Sequence, residues 1–223
     1  LIAYSQDKPG TSSIAFDGTG DYLSTPSNSD FDFGTGEFTI EAWLYSRNSD
    51  DSVMSDSYYQ TGENGNWGIV LAASAINFYT YDGQGSVELA SSSSALPMNA
   101  WHHLALVRES DTITFYLDGT SIGTGTITKS IGECTDDFLI GDAGGNPEFD
   151  GYMDEIRISD SARYTSGFTP QTTQFTTDAN TMLLIHSDWD GGLGADSSGN
   201  FNTFTPTNLV ATDQMVDSPT NNF

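Results

Sequence analysis

The chain has 223 residues, a single cysteine, and 31 acidic against six basic side chains, for a formal charge of -25. That charge repels nucleic-acid phosphates and anionic membrane surfaces, so neither is expected as a partner. No apolar run reaches the roughly 18 residues of a membrane span, and no signal peptide is expected in the given residues.

The charge reads as solubility in a salty medium, or more sharply as a store of carboxylates for divalent cations. Cys134 has no partner in the chain, so the fold needs no disulfide or bridges to another chain. Leu1 in place of a methionine, and the run 217–223, suggest a processed product or a piece of something longer.

In chain order, Phe16 and Tyr22 flank a Gly-rich reversal at Gly18 and Gly20. Residues 38–45 alternate as a strand, with Phe38, Ile40, Ala42 and Leu44 on one face and Thr39, Glu41, Trp43 and Tyr45 on the other. Residues 67–71 and 76–81 are expected to form a strand pair, and 101–108 a further strand. Residues 112–117 run through Asp118-Gly119, a hairpin turn, into 120–126. Strands follow at 137–141, 152–159 and 181–186. A single helical turn is expected at 161–164, and no longer helical period occurs. Short strands with frequent turn signals define an all-β sandwich or jelly roll.

Four segments occur in a telling order: Ala15-Phe16-Asp17-Gly18-Thr19-Gly20-Asp21-Tyr22-Leu23; Phe38-Thr39-Ile40-Glu41-Ala42-Trp43; Trp101 to Arg108 with Phe115-Tyr116-Leu117-Asp118-Gly119; and Phe149 to Ser159. Together they resemble the laminin-G-like branch of the concanavalin A-like lectin/glucanase superfamily. The resemblance implies an all-β, concanavalin A-like jelly-roll sandwich of two antiparallel sheets. It divides the chain into an N-terminal extension (1–12), a laminin-G-like domain (13–187) and an extended arm or linker (188–223). Leu183-Leu184-Ile185-His186-Ser187, then Asp196-Ser197-Ser198-Gly199-Asn200, is similar to laminin-G-like structural proteins of tailed phages from aquatic bacteria. That implies a virion component such as a tail fibre, spike or capsid decoration. Its partners would be other subunits of the virion or surface assembly, in a homo-oligomer.

The resemblance also implies one structural calcium near the first turn and the last core strand. By position it would draw on Asp17, the carbonyl of Gly18, and Asp154, with Asp142 as a weaker fourth. The alternative is that Asp17 caps a turn and Asp154 pairs with an arginine such as Arg157. Strict alternation puts Asp154 on a face with Tyr152 and Ile156, where a carboxylate needs a partner. The acidic loop 188–196 is a lesser candidate. Arg108 and Arg157 are read as structural partners of carboxylates.

The chain is not expected to be an enzyme. Adjacent Asp154 and Glu155 point to opposite faces, Glu37 and Glu41 have no acid between them, and His102 and His103 diverge as neighbours on a strand. One cysteine and three histidines offer no zinc spacing. Glycan binding is expected to fall to Tyr58, Tyr59, Trp67, Tyr79 and Tyr81, unless Trp67, Tyr79 and Tyr81 merely cover a sheet face. The expected role is a non-catalytic structural and adhesion domain on a virion or extracellular surface. The alternative is a carbohydrate-binding module of a secreted bacterial adhesin or polysaccharide-degrading protein.

Overall fold

The computed structural model describes residue 10 and residues 12–56, 64–82, 87–132, 135–144, 147–187 and 191–216. In chain order the strands are β1 (Ser12–Asp17), β2 (Tyr22–Pro26), β3 (Phe38–Ser46), β4 (Ser52–Asp56), β5 (Asn64–Ala72), β6 (Ala75–Asp82), β7 (Val87–Ser91), β8 (Trp101–Glu109), β9 (Thr112–Leu117), β10 (Thr120–Thr126), β11 (Asp137–Ile140), β12 (Asp150–Ser159), β13 (Thr181–Ile185), β14 (Thr205–Thr207) and β15 (Gln214–Val216). One sheet runs β10-β9-β8-β3-β12-β1-β15, with β13 also on β12; the other runs β14-β2-β11-β4-β5-β6-β7. The described pairings are antiparallel, as the two-sheet jelly roll requires.

The main core lies between the sheets. Phe38, Ile40, Leu44, Leu104, Leu106 and Phe115 of the first sheet meet Trp67, Ile69, Phe78 and Phe138 of the second. The Asp118-Gly119 turn forms as its residues demand. Both have positive φ, 48° and 74°, the conformation of a tight primed hairpin. At 161–164 there is no helical turn; the described helical element is a short 3-10 turn at Ala211–Asp213.

β12 departs from strict alternation. Asp154 lies opposite Trp43, but Arg157 lies opposite Glu41, so three steps on β12 match two on β3. The inserted residue is Glu155, with φ of 49°. This β-bulge reverses the phase of every side chain beyond it. Ile156 therefore turns into the main core, while Tyr152 joins Trp43, Trp101 and Phe175 on the outer face. The expected shared face of Tyr152, Asp154 and Ile156 is thus corrected. At the bulge β12 also changes neighbour, from β1 at residues 150–153 to β13 at 156–159.

Residues 160–180 cross the outer face of the first sheet as a strap. The Phe168 N–H donates to the Gly119 carbonyl at 3.0 Å, and the Phe175 N–H donates to Glu155 at 2.7 Å. A Cβ on Gly119 would collide with the Phe168 carbonyl, so this approach needs glycine. Beneath the strap lies Glu41, wholly buried. It accepts hydrogen bonds from Arg157 Nε and Nη2 at 2.8 and 2.6 Å and from the Tyr164 hydroxyl at 2.9 Å. His103 Nε2 lies 3.1 Å from the second Glu41 oxygen. The Arg157 guanidinium also stacks 4.2 Å from the Phe175 ring centre. Burial pushes the Glu41 pKa up, but His103 and Arg157 outweigh it and hold the carboxyl below its ordinary value.

Residues 191–216 correct the expectation of an extended arm. β14 pairs with β2 at the edge of the second sheet, and β15 pairs with β1 at the edge of the first. The segment thereby covers two edges that would otherwise stand open. Ser12, assigned to an N-terminal extension, is already part of β1.

The buried pair yields a test. Arg157→Met leaves Glu41 beneath the strap without its arginine partner, and should cost about 3–5 kcal/mol in denaturant unfolding. Adding Glu41→Leu should recover most of that loss; no recovery would show that the pair does not hold the strap. Because the folded pKa of Glu41 is lowered, its contribution is present above the ordinary carboxylate pKa and lost as pH falls through the lowered value.

Candidate functional site

Of the expected glycan-binding aromatics, Trp67, Tyr79 and Tyr81 do not form an exposed platform. Trp67 is buried in the main core, 5.7 Å from both Phe33 and Phe138 between ring centres. Its indole N–H donates to the Phe31 carbonyl at 3.4 Å. A large apolar ring on the inner face of a central strand is worth more to the fold in that place than on the surface. Tyr79 and Tyr81 lie on the outer face of the second sheet but are buried, edge to face at 5.5 Å. Tyr79 lies over Gly68, its cross-strand neighbour, where a Cβ would strike the ring. These three residues serve packing, the alternative left open above. Tyr58 and Tyr59 lie outside the described residues.

Nor does the proposed calcium set converge. Asp17 lies opposite Asp150 in the β1–β12 register. Asp154 is four residues further along β12, about 13 Å away at the usual strand rise of ~3.3 Å per residue. The Asp17 carboxylate accepts the Thr19 N–H at 2.8 Å, the turn-capping role, and Asp142 accepts the Gly144 N–H at 2.7 Å in the same way. The left-handed Gly18 (φ 75°) packs against Asp150, on the far side of that separation from Asp154. Asp154 accepts the Glu155 N–H at 2.8 Å within the bulge, while Arg157 goes to Glu41. Among the described residues, no group of three or more His, Cys, Asp or Glu is placed to hold a metal ion. Asp188 and Asp190 of the second acidic loop lie outside the described residues.

The three histidines are likewise held by carboxylates. His102 Nδ1 lies 2.7 Å from Asp118, His103 meets Glu41, and His186 Nδ1 lies 2.9 Å from Glu155. Arg108 is buried, and its guanidinium donates to the carbonyls of Gly34, Ser110 and Ile127 at 2.9–3.1 Å. It ties loops together mainly through backbone carbonyls, and it also pairs with the Asp111 carboxylate at 3.7 Å, the kind of partner expected for it.

An open site does occur at one rim, between residues 25–30 and residues 191–204. A cleft of about 430 Å³ separates residues 25–30, at the end of β2, from residues 200–203. A second, of about 260 Å³, lies between residues 191–196 and 201–204. Phe201, Asn202 and Thr203 line both. Phe201 is 87% exposed and its φ is 62°. That left-handed conformation costs a non-glycine residue about 1–2 kcal/mol. Two neighbours impose it. Asp196 accepts the N–H groups of Leu184 and Ser198 on one oxygen, and the Ser198 hydroxyl and Asn202 N–H on the other, at 2.8–3.2 Å. Asn202, nearly buried, donates to Asp30 at 3.0 Å and accepts from Asn28 at 2.9 Å. The Asp196-Ser197-Ser198-Gly199-Asn200 run is therefore a turn locked by Asp196, and it thrusts Phe201 into solvent. The signal in the sequence was an isolated phenylalanine between two asparagines, directly after that turn.

The fold defines a class: an all-β sandwich module of two antiparallel sheets, here with open clefts on loops at one rim. Residues 17–166 match the laminin G model of the concanavalin A-like lectin/glucanases superfamily, and the chain belongs to that superfamily. Among solved structures it is similar to a protein from Bacteroides ovatus described as carbohydrate binding, at a TM-score of 0.62 and 19% identity. The match covers 88% of this chain and 59% of that one, so this chain spans well under two thirds of it. It is similar to domain 4 of an extracellular arabinanase from Geobacillus stearothermophilus, solved with arabinotriose, at 0.52 and 19%, covering 73% and 76% of the two chains. It is also similar to a heptameric SAP-like pentraxin from Limulus polyphemus, at 0.51 and 14%, covering 79% and 91%. At these identities the likeness is one of fold. No curated protein sequence matches the chain.

Two outcomes follow from the acidic residues. If Asp154 shares no cation with Asp17, Asp154→Asn and the parent chain will show the same melting shift on adding calcium; a shift lost only in the variant would restore the shared site. Asp51, beside β4, is the second case. It is buried and accepts the Asp150 N–H at 3.1 Å through Oδ2. Burial first, then the charges of Asp150 and Asp50, push its pKa from 3.8 up to about 6, against the pull of the Asp150 N–H and Asn48. The folded state thus holds the proton more tightly, so stability is fullest below pH 4 and is lost as pH rises through 6. Asp51→Asn should stabilise the chain by about 1–3 kcal/mol at pH 8 and change little near pH 4. Equal effects at both pH values would refute the titration.

Proposed function

We propose that the chain is a non-catalytic glycan-recognition domain displayed on an extracellular assembly. The observation that carries this reading is Phe201, an exposed aromatic held between two open polar clefts at the rim of a lectin-type sandwich. An aromatic face that stacks on a sugar ring, with amide and hydroxyl groups beside it, is the usual chemistry of carbohydrate recognition. The likeness to a carbohydrate-binding protein and to an arabinanase domain solved with arabinotriose supports the same reading.

Catalysis is disfavoured by where the carboxylates are. Glycoside hydrolysis needs two carboxyl groups flanking a bond in an accessible cleft. Glu41, Asp154 and Glu155 are buried, and Glu41 and Glu155 are bound to arginine, histidine or backbone donors. At the rim, Asp196 is occupied by hydrogen bonds that hold its own turn.

The domain is read as carried on a virion or a secreted adhesin. The virion setting rests on the likeness of the 183–187 and 196–200 runs to phage structural proteins. Residues 191–216 are engaged with the domain's own sheets, so subunits would associate through faces of the folded domain and not by exchanging that stretch.

A glycan array probed with the intact chain should give retained signal on at least one class of polysaccharide. Incubating that polysaccharide with the chain should leave its length distribution unchanged by chromatography. Failure to bind any glycan would remove the recognition reading, and shortened products would remove the non-catalytic one.

A further inference from the structure

The geometry points to an uncharged glycan chain as the ligand, laid across Phe201 so that consecutive sugar units occupy the two clefts. This rests on the glycan reading above and names its site and ligand class.

The first argument is shape. The two clefts are not separate pockets; they share Phe201, Asn202 and Thr203 as a common ridge. The larger falls within the usual range of small-molecule sites, about 300–1,000 Å³, and the smaller lies just below it. A ligand that fills one cleft and ends there would leave half the exposed phenyl ring in water. A chain that passes over the ridge covers it.

The second argument is strain without a structural purpose. Phe201 is 87% exposed, so it contributes almost nothing to the core, yet it is held in the left-handed region. Asn or Gly would fit that backbone at lower cost. An exposed aromatic ring kept at an unfavourable φ by a locked turn is a ring presented to a partner. Its backbone is fixed in advance by Asp196 and Asn202, so less ordering entropy is lost on binding.

The third argument is charge and donor inventory. No lysine or arginine occurs among the described residues lining either cleft, while Asp30 and Asp196 do. With a chain charge of -25, a uronate or sulfate group would meet repulsion and no counter-ion. The groups left for a ligand among the described residues of the larger cleft include Asp30 Oδ1, Asn200 Oδ1 and the Ser29 hydroxyl. The carboxylate and amide oxygens only accept, so they suit a ligand rich in hydroxyl donors with an apolar ring face. A neutral pyranose or furanose chain has both.

The test is affinity electrophoresis of the intact chain through native gels containing neutral polysaccharides (arabinan, mannan, β-glucan and galactan) or acidic ones (polygalacturonate and a sulfated galactan). Retardation is expected in at least one neutral gel and in neither acidic gel. Phe201→Ala should weaken it about tenfold or more, the equivalent of 1.4 kcal/mol, and Phe201→Tyr should keep it. Circular dichroism should be unchanged in both variants, because the ring lies outside the core. For the retarding polymer, affinity should rise from monosaccharide to trisaccharide in calorimetry. Neutral binding untouched by Phe201→Ala would overturn this site while leaving glycan recognition standing. Equal retardation by acidic polymers would overturn the ligand class, and full affinity for a monosaccharide would overturn the two-cleft span. No retardation in any gel would overturn both this inference and the function it rests on.

Discussion

The bulge at Glu155 is the constraint on which the rest of the molecule depends. One inserted residue in β12 divides the strand into two halves of opposite phase. Before it, Met153 faces the main core and Tyr152 the outer layer; after it, Ile156 and Ile158 face the core and Arg157 the outer layer. Without the insertion, Arg157 would enter an apolar core and two isoleucines would leave it. The same residue lets β12 exchange β1 for β13, and so admits the C-terminal strands to the fold.

The outer face of the first sheet follows from this. Most single sandwiches leave one face of each sheet to solvent, but here the strap covers it and buries Glu41, His103 and Arg157. A buried ion pair is weak evidence of net stabilisation, because desolvation offsets much of the attraction. Its contribution here is to specify one seating of the strap. Glu41 binds Arg157 and Tyr164, Glu155 binds the Phe175 N–H, and Gly119 receives Phe168, so the strap is fixed at both ends and in the middle.

The rim site is the far end of the same chain of consequences. β13 pairs with β12 beyond the bulge, and the Asp196 turn docks on its Leu184 N–H. Asn202 then reaches across to Asp30 and Asn28 beyond β2. The turn is thus bound to both sheets, and Phe201 stands on a rigid support with two clefts at its sides. Function placed on a loop gains precision when that loop is braced in this way.

Much of this was legible in the amino-acid sequence. Runs of β-branched and aromatic residues located β3, β8, β9 and most of β12, and the turn before it located β10. Asp118-Gly119 specified its own hairpin, and Asp17 its turn cap, since both are settled by neighbours a few residues away. The short strands β4, β7, β14 and β15 carried no such pattern; they exist because a partner strand supplies their hydrogen bonds. Three of the candidate glycan-binding aromatics are buried for a related reason. Trp67, Tyr79 and Tyr81 have the chemistry of a sugar platform, but whether a strand residue faces core, sheet neighbour or water is decided by what packs against it. Asp154 was set on the wrong face relative to Ile156, because a bulge at a glutamate leaves no mark in residue type. Local sequence determines which backbone segments extend and where they reverse, through steric limits within a few residues. Only the tertiary structure decides which extended segments meet, and therefore which aromatic ring, Phe201 in place of Trp67, remains outside.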